Sequence, residues 1–149
     1  MTSISDCRIY VPNRYSLGSY TIRTMQAGTV MDIDNLYGKD LAYVVIDVQK
    51  KFRITTEDAK NTGAARIETM NNIARMFREH NKPVIFVKYI GGCECHPYEG
   101  TDGDEFFDGI ETDPTDIIVE KHFMNSFRES DLEKTVRRLG CNSVLLAEL

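Results

Sequence analysis

Between residues 41 and 149 the chain alternates short, unbroken apolar runs with stretches that repeat every three or four residues. The apolar runs are Ala42–Ile46, Pro83–Tyr89, Asp116–Glu120 and Ser143–Ala147. Runs of this kind predict strands buried on both faces, as in a parallel sheet covered by helices. Between the first two, Ile67, Met70, Ile73 or Ala74, and Phe77 recur at helical steps, while Arg66, Glu68, Arg75, Arg78 and Glu79 fill the opposite face. That spacing predicts an amphipathic helix capped by Asn61 or Thr62 and running to about His80, where Asn81 and Pro83 end it. Ser130-Asp131-Leu132-Glu133 reads as a capping box. The helix it opens would bury Leu132, Val136 and Leu139 and stop at Gly140. Strand, helix and strand in this order predict right-handed parallel crossovers. The fold class is therefore α/β, a doubly wound and mainly parallel sheet with helices on both faces.

Two stretches fall outside that rhythm. Residues 1–40 read as a β-rich appendage to the domain formed by 41–149, lying on the main sheet or on a neighbouring subunit. In it, Cys7–Val11 is a short strand closed by Pro12 and Asn13. Ser19–Met25 and Thr29–Ile33 flank Gln26-Ala27-Gly28 as a hairpin would. Gly91–Asp116 is a long connection whose length suggests a functional or mobile loop. Its acids, Asp102, Asp104, Glu105, Asp108, Glu111, Asp113 and Asp116, read most simply as a solvated surface.

Composition narrows the function classes. A length of 149 residues fits one domain with a sizeable core. A net charge of −5 argues against nucleic acid as a partner. No window approaches a membrane span, and MTSISDCRIYV lacks the order of a secretory signal. A cytoplasmic location follows, with Cys7, Cys93, Cys95 and Cys141 reduced. Cys93, Cys95 and His96 invite a metal, but one cluster without a second ligand pair is a weak signal. Neither metal nor cofactor is expected, and no Gly-x-Gly-x-x-Gly follows a strand.

Candidate chemistry begins at Asp47, which ends the first apolar run. Open α/β sheets bind ligands beyond the carboxyl ends of their strands, although an Asp there can also simply cap a turn. Three segments resemble the isochorismatase-like cysteine hydrolase superfamily, which includes nicotinamidases and carbamoyl amidohydrolases. They are VVIDVQKKF at 44–52, REHNKPVIFVKY at 78–89 and IIVEKHFMNSFRESDLEKTVRRLGCNSVLLAEL at 117–149. The resemblance implies an Asp-Lys-Cys triad in which Asp47 accepts a proton and Lys121 is its charged partner. It also implies a substrate pocket lined by Gln49, Phe52 and Phe127. The family's nucleophilic Cys follows the strand matching Ser143–Ala147, so the resemblance places it past Leu149; Cys141 precedes that strand and falls at the opposite edge of the sheet. The expected activity is hydrolysis of a small amide, carbamoyl or vinyl-ether substrate by a homo-oligomer whose chain continues past Leu149. The alternative is a non-catalytic member that binds a ligand or another subunit. In a four-stranded core built from what is present, one face would be thinly covered and an apolar edge strand exposed.

Overall fold

The computed structural model describes residues 7–12, 20–24, 40–52, 57–91 and 102–148, with 7–12, 20–24 and 57–62 described as backbone. In chain order these form strands β1 (Cys7–Pro12), β2 (Tyr20–Thr24) and β3 (Leu41–Ile46), then helix α1 (Glu57–Glu79) and strand β4 (Val84–Tyr89). Strand β5 (Ile117–Lys121), helix α2 (Leu132–Arg138) and strand β6 (Ser143–Glu148) follow. The strands make one sheet in the order β2-β1-β6-β3-β4-β5. Strands β6, β3, β4 and β5 run parallel, as the four apolar runs require.

From β3 the chain steps outward to β4 and β5, then returns to β6 on the other flank of β3. The switch point of the sheet thus lies between β3 and β6, where this architecture opens its ligand crevice.

The central strands alternate their side chains between two cores. Tyr43, Val45, Val84, Phe86 and Leu145 face α1 and meet Met70, Ile73, Ala74 and Phe77. The rings of Tyr43 and Phe77 lie 5.3 Å apart. Ala42, Val44, Ile85, Val87, Val119 and Val144 face the other way, toward Leu132 and Val136 of α2. That second face is thinly covered, as expected: α2 is seven residues long, and Ile46, Ile117 and Leu146 are only partly buried on it.

Several sequence expectations change. Helix α1 begins at Glu57, upstream of the cap expected at Asn61 or Thr62. Glu57, Asp58, Ala59 and Lys60 contain no helix breaker, so the preceding turn joins the helix. The capping box is not formed. Asp131 is the N-cap and makes no side-chain cap bond, and Glu133 pairs with Arg137 one turn on. Ser130 Oγ instead donates to Ser126 O and accepts from Leu132 N. Leu139, expected in the buried stripe, is 39% exposed, because α2 ends at Arg138 and Gly140 turns the chain at φ 73°. Thr135 takes the buried place.

At the amino end, β2 pairs with β1, a contact not expected from the sequence. The Thr29–Ile33 run lies outside the described residues. Strand β1 runs antiparallel along β6, matching Cys7 to Ala147 and Tyr10 to Val144. The edge of β6 is therefore paired, and among the described residues β5 is left as the open edge of the parallel strands.

Candidate active site

Asp47 is the residue at which β3 leaves the sheet. Its backbone φ is 58°, a left-handed conformation that Asp tolerates better than most side chains. Its N–H still bonds to Val87 O at 3.0 Å, so the turn is anchored to β4. Lys121 is the last residue of β5, two strands away, and its side chain reaches back across the end of β4. Lys121 Nζ and Asp47 Oδ2 meet at 2.7 Å. The two residues singled out from the sequence thus converge at the carboxyl rim, beside the switch point.

The pair is buried unevenly. The Lys121 side chain is 1% exposed and that of Asp47 21%. The ammonium spends its three donors on Asp47 Oδ2, on Ser126 Oγ at 3.1 Å and on Met124 O at 3.3 Å. Asp47 is less complete: its buried Oδ1 has no hydrogen-bond partner among the described residues. Burial raises the Asp47 carboxyl above its ordinary value, against the opposing pull of the Lys121 hydrogen bond and charge and the more distant charge of Lys51. A carboxylate with one oxygen held by an ammonium and the other vacant is set to receive a proton.

The remaining candidates sit on the same rim. Gln49, expected to line the substrate pocket, is fully buried, and its amide bonds to Tyr89 and Asp104 backbone. Phe52 closes a short 3-10 turn over Lys50–Phe52 and stands edge-on to Tyr89, ring centres 6.1 Å apart. Phe127 is 37% exposed on the loop after β5 that also supplies Met124 O and Ser126 Oγ to Lys121. Ser126 received no role from the sequence, although it lies in the matching segment. The signal available was its place five residues after Lys121, within the Ser-Phe pair of that segment. Cys141 begins the approach to β6 at the amino rim, opposite Asp47, with its thiol raised by burial.

Most acids of the loop are exposed, as the solvated-surface reading expects, but they also pair with named partners. Lys50 Nζ gathers Asp102 and Glu105 at 2.9 Å and Asp108 at 3.4 Å, and Lys51 pairs with Asp104. Buried Asn71 of α1 donates to Gly109 O and accepts from Glu111 N. Arg78 grips Asp116 through two bonds of 3.0 and 2.7 Å, and Arg75 holds Glu111. Phe107 N bonds to Val48 O, so the loop also pairs with the β3 exit. Residues 102–116 are thus a strap across α1 and the site. Its acids answer specific cations, which composition alone did not reveal.

Among the described residues no three His, Cys, Asp or Glu side chains come together as a metal-binding group. Cys93, Cys95 and His96 lie outside the described residues.

Comparison with known proteins bears on the fold and the family. Among solved structures, the chain is similar to an isochorismatase family protein at 23% identity and a TM-score of 0.61. That match covers 74% of this chain and 64% of the other, so the chain spans less than two thirds of that protein's length. It is also similar to N-carbamoylsarcosine amidase from Thermoplasma acidophilum, at 27% identity and a TM-score of 0.59, over 74% and 68% of the two chains. Pyrazinamidase of Pyrococcus horikoshii, solved in complex with zinc, matches at 18% identity and a TM-score of 0.60, over 74% and 71%. No curated protein matches the chain. The isochorismatase domain itself matches residues 41–147, from the first residue of β3 to the penultimate residue of β6, and the chain belongs to the isochorismatase family.

Proposed function

We propose that this chain carries the acid–base half of a cysteine hydrolase acting on a small amide, carbamoyl or vinyl-ether substrate. The observation that carries the reading is the Asp47–Lys121 pair with its vacant buried oxygen, Asp47 Oδ1. A thiol is a strong nucleophile only as the thiolate, so a positioned base must take its proton. In this reading Oδ1 accepts that proton from a cysteine in sequence following Leu149, which would approach from the switch point where β6 ends. For an amide or carbamoyl substrate the thiolate attacks the carbonyl, Asp47 returns its proton to the departing amine as the C–N bond breaks, and water then cleaves the thioester. Lys121, held by Ser126 and Met124, balances the negative charge that moves between thiol and carboxylate.

Phe52 and Phe127 would line the substrate pocket, since the segments bearing them leave the same rim. The amidase and pyrazinamidase among the similar structures act, by their names, on carbamoyl and amide groups, which supports a substrate of that class. Neither metal nor cofactor takes part in the proposed steps. A cytoplasmic homo-oligomer remains the proposed setting; among the described residues no helix is long and apolar enough to cross a membrane.

The test is a protein extended past Leu149, assayed for ammonia or carbamoyl release from a panel of small amides. Turnover should appear, and Asp47→Asn should lower kcat at least about a thousandfold. An Asp47→Asn protein that retains its turnover would remove Asp47 from the chemistry.

A further inference from the structure

We infer that Gln49 is a positioning residue for the Asp47–Lys121 pair, its amide replacing the strand backbone that β3 withdraws from β4. The geometry begins with the ladder. Strand β3 pairs with β4 in parallel as far as Ile46 and Val87, and Asp47 N makes the last backbone bond, to Val87 O. The left-handed φ of Asp47 then turns the chain out of the sheet. Tyr89, two residues further along β4, points its N–H toward β3 on the same side as the Val87 carbonyl, and no β3 backbone remains to meet it.

Gln49 fills that place. Its Oε1 accepts from Tyr89 N at 2.7 Å, and its Nε2 donates to Tyr89 O at 3.1 Å. The second Nε2 hydrogen goes to Asp104 O at 3.3 Å, fixing the strap to the same point. Every polar atom of the amide is used, and the side chain is 0% exposed. Lys51 reinforces the joint by donating to the carbonyls of Tyr89 and Gly91.

The consequence passes through β4 to Lys121. Tyr89 is the register partner of Lys121 in the β4–β5 ladder, and Ile90 N bonds to Lys121 O at 2.8 Å. The separation of Asp47 from Lys121 is therefore set by two joints in series, one between β3 and β4 and one between β4 and β5. Without the first joint the two strand ends can splay, because among the described residues Asp47 N–Val87 O is the last backbone bond between β3 and β4. Gln49 thus acts on the acid–base pair without touching a substrate. Its importance for turnover rests on the hydrolase reading, whereas the joint itself does not.

The experiment uses the 149-residue chain and two readouts. In the unsubstituted protein the Tyr89 amide should resist hydrogen exchange like an amide inside β4. In Gln49→Met, which fills the volume and keeps water out but makes no hydrogen bonds, Tyr89 exchange should rise about tenfold or more. The Asp47 carboxyl, followed by carbon NMR, should titrate about half a pH unit or more higher, because a more distant Lys121 lowers it less. A purely structural Gln49 would change Tyr89 exchange and leave the Asp47 midpoint in place, and that result overturns the inference. So does a Tyr89 amide that exchanges freely in the unsubstituted chain, which decides the matter if Gln49→Met does not fold. An extended protein whose Asp47→Asn variant keeps its activity would refute the hydrolase reading alone and leave the joint standing.

Discussion

Lys121 is the most exacting single residue in the molecule. Its ammonium is almost completely removed from water and depends on three acceptors, one of them charged. Replacing one partner of such a pair leaves the other with a desolvated charge and nothing to offset it. Lys121→Met should therefore lose about 3–5 kcal/mol of unfolding free energy at neutral pH, measured by urea titration. The sign with pH follows from Asp47, whose carboxyl is raised in the folded chain above the ordinary 3.8. A raised acid favours the folded state below the unfolded value, and that contribution is lost as pH climbs through the folded one. Removing Lys121 raises Asp47 further, so the deficit of the variant should shrink on acidification. A deficit that stays constant from pH 7 to pH 4 would show that Asp47 does not feel Lys121. Asp47 was legible in the sequence because it ends an apolar run, whereas Lys121 was singled out only through the family resemblance of its segment. Gln49 was legible as important but not in its role, since hydrogen bonds to backbone 40 residues away leave no local pattern.

At the scale of elements, the strap over 102–116 has the clearest consequences. Asn71 is 7% exposed and satisfies two backbone groups of the strap. Asn71→Ala leaves Gly109 O and Glu111 N without their partner and should cost about 1–3 kcal/mol in thermal or urea unfolding. The exposed acids respond differently to pH from Asp47. Glu111 is held below 4.5 mainly by its hydrogen bond to Arg75, and Asp113 below 3.8 by bonds from Thr115. Their contributions are complete above those ordinary values and disappear as pH falls through the lower folded ones. Amide exchange along 109–116 should therefore accelerate below about pH 4, before the β3–β4 core opens. Uniform exchange across strap and core at acid pH would contradict this order. The four central strands and the main helix were readable because periodicity reports burial. The strap was not, because its acids are spaced for cations on α1 and in the turn after β3, and sequence spacing carries no record of distant partners.

For the molecule as a whole, the four parallel strands are flanked by β1 on one side and, among the described residues, by no strand on the other. Strand β1 occupies the hydrogen-bonding edge of β6, while β5 ends the sheet with Ile118 46% exposed. Removing residues 1–39 should bare the unpaired groups of β6 and produce concentration-dependent association, visible by light scattering. A shortened chain that stays monomeric at high concentration would show that β1 is dispensable as a cover. One feature bears on how such a protein would drift if its chemistry fell out of use. The backbone at position 47 admits only Gly, Asn or Asp with ease, so a carboxylate lost there would give way to one of the other two. Position 121 imposes no such rule. An aliphatic side chain would suit that dry site only once the carboxylate is gone as well, so a retired copy should carry Asn or Gly at 47 together with an aliphatic residue at 121.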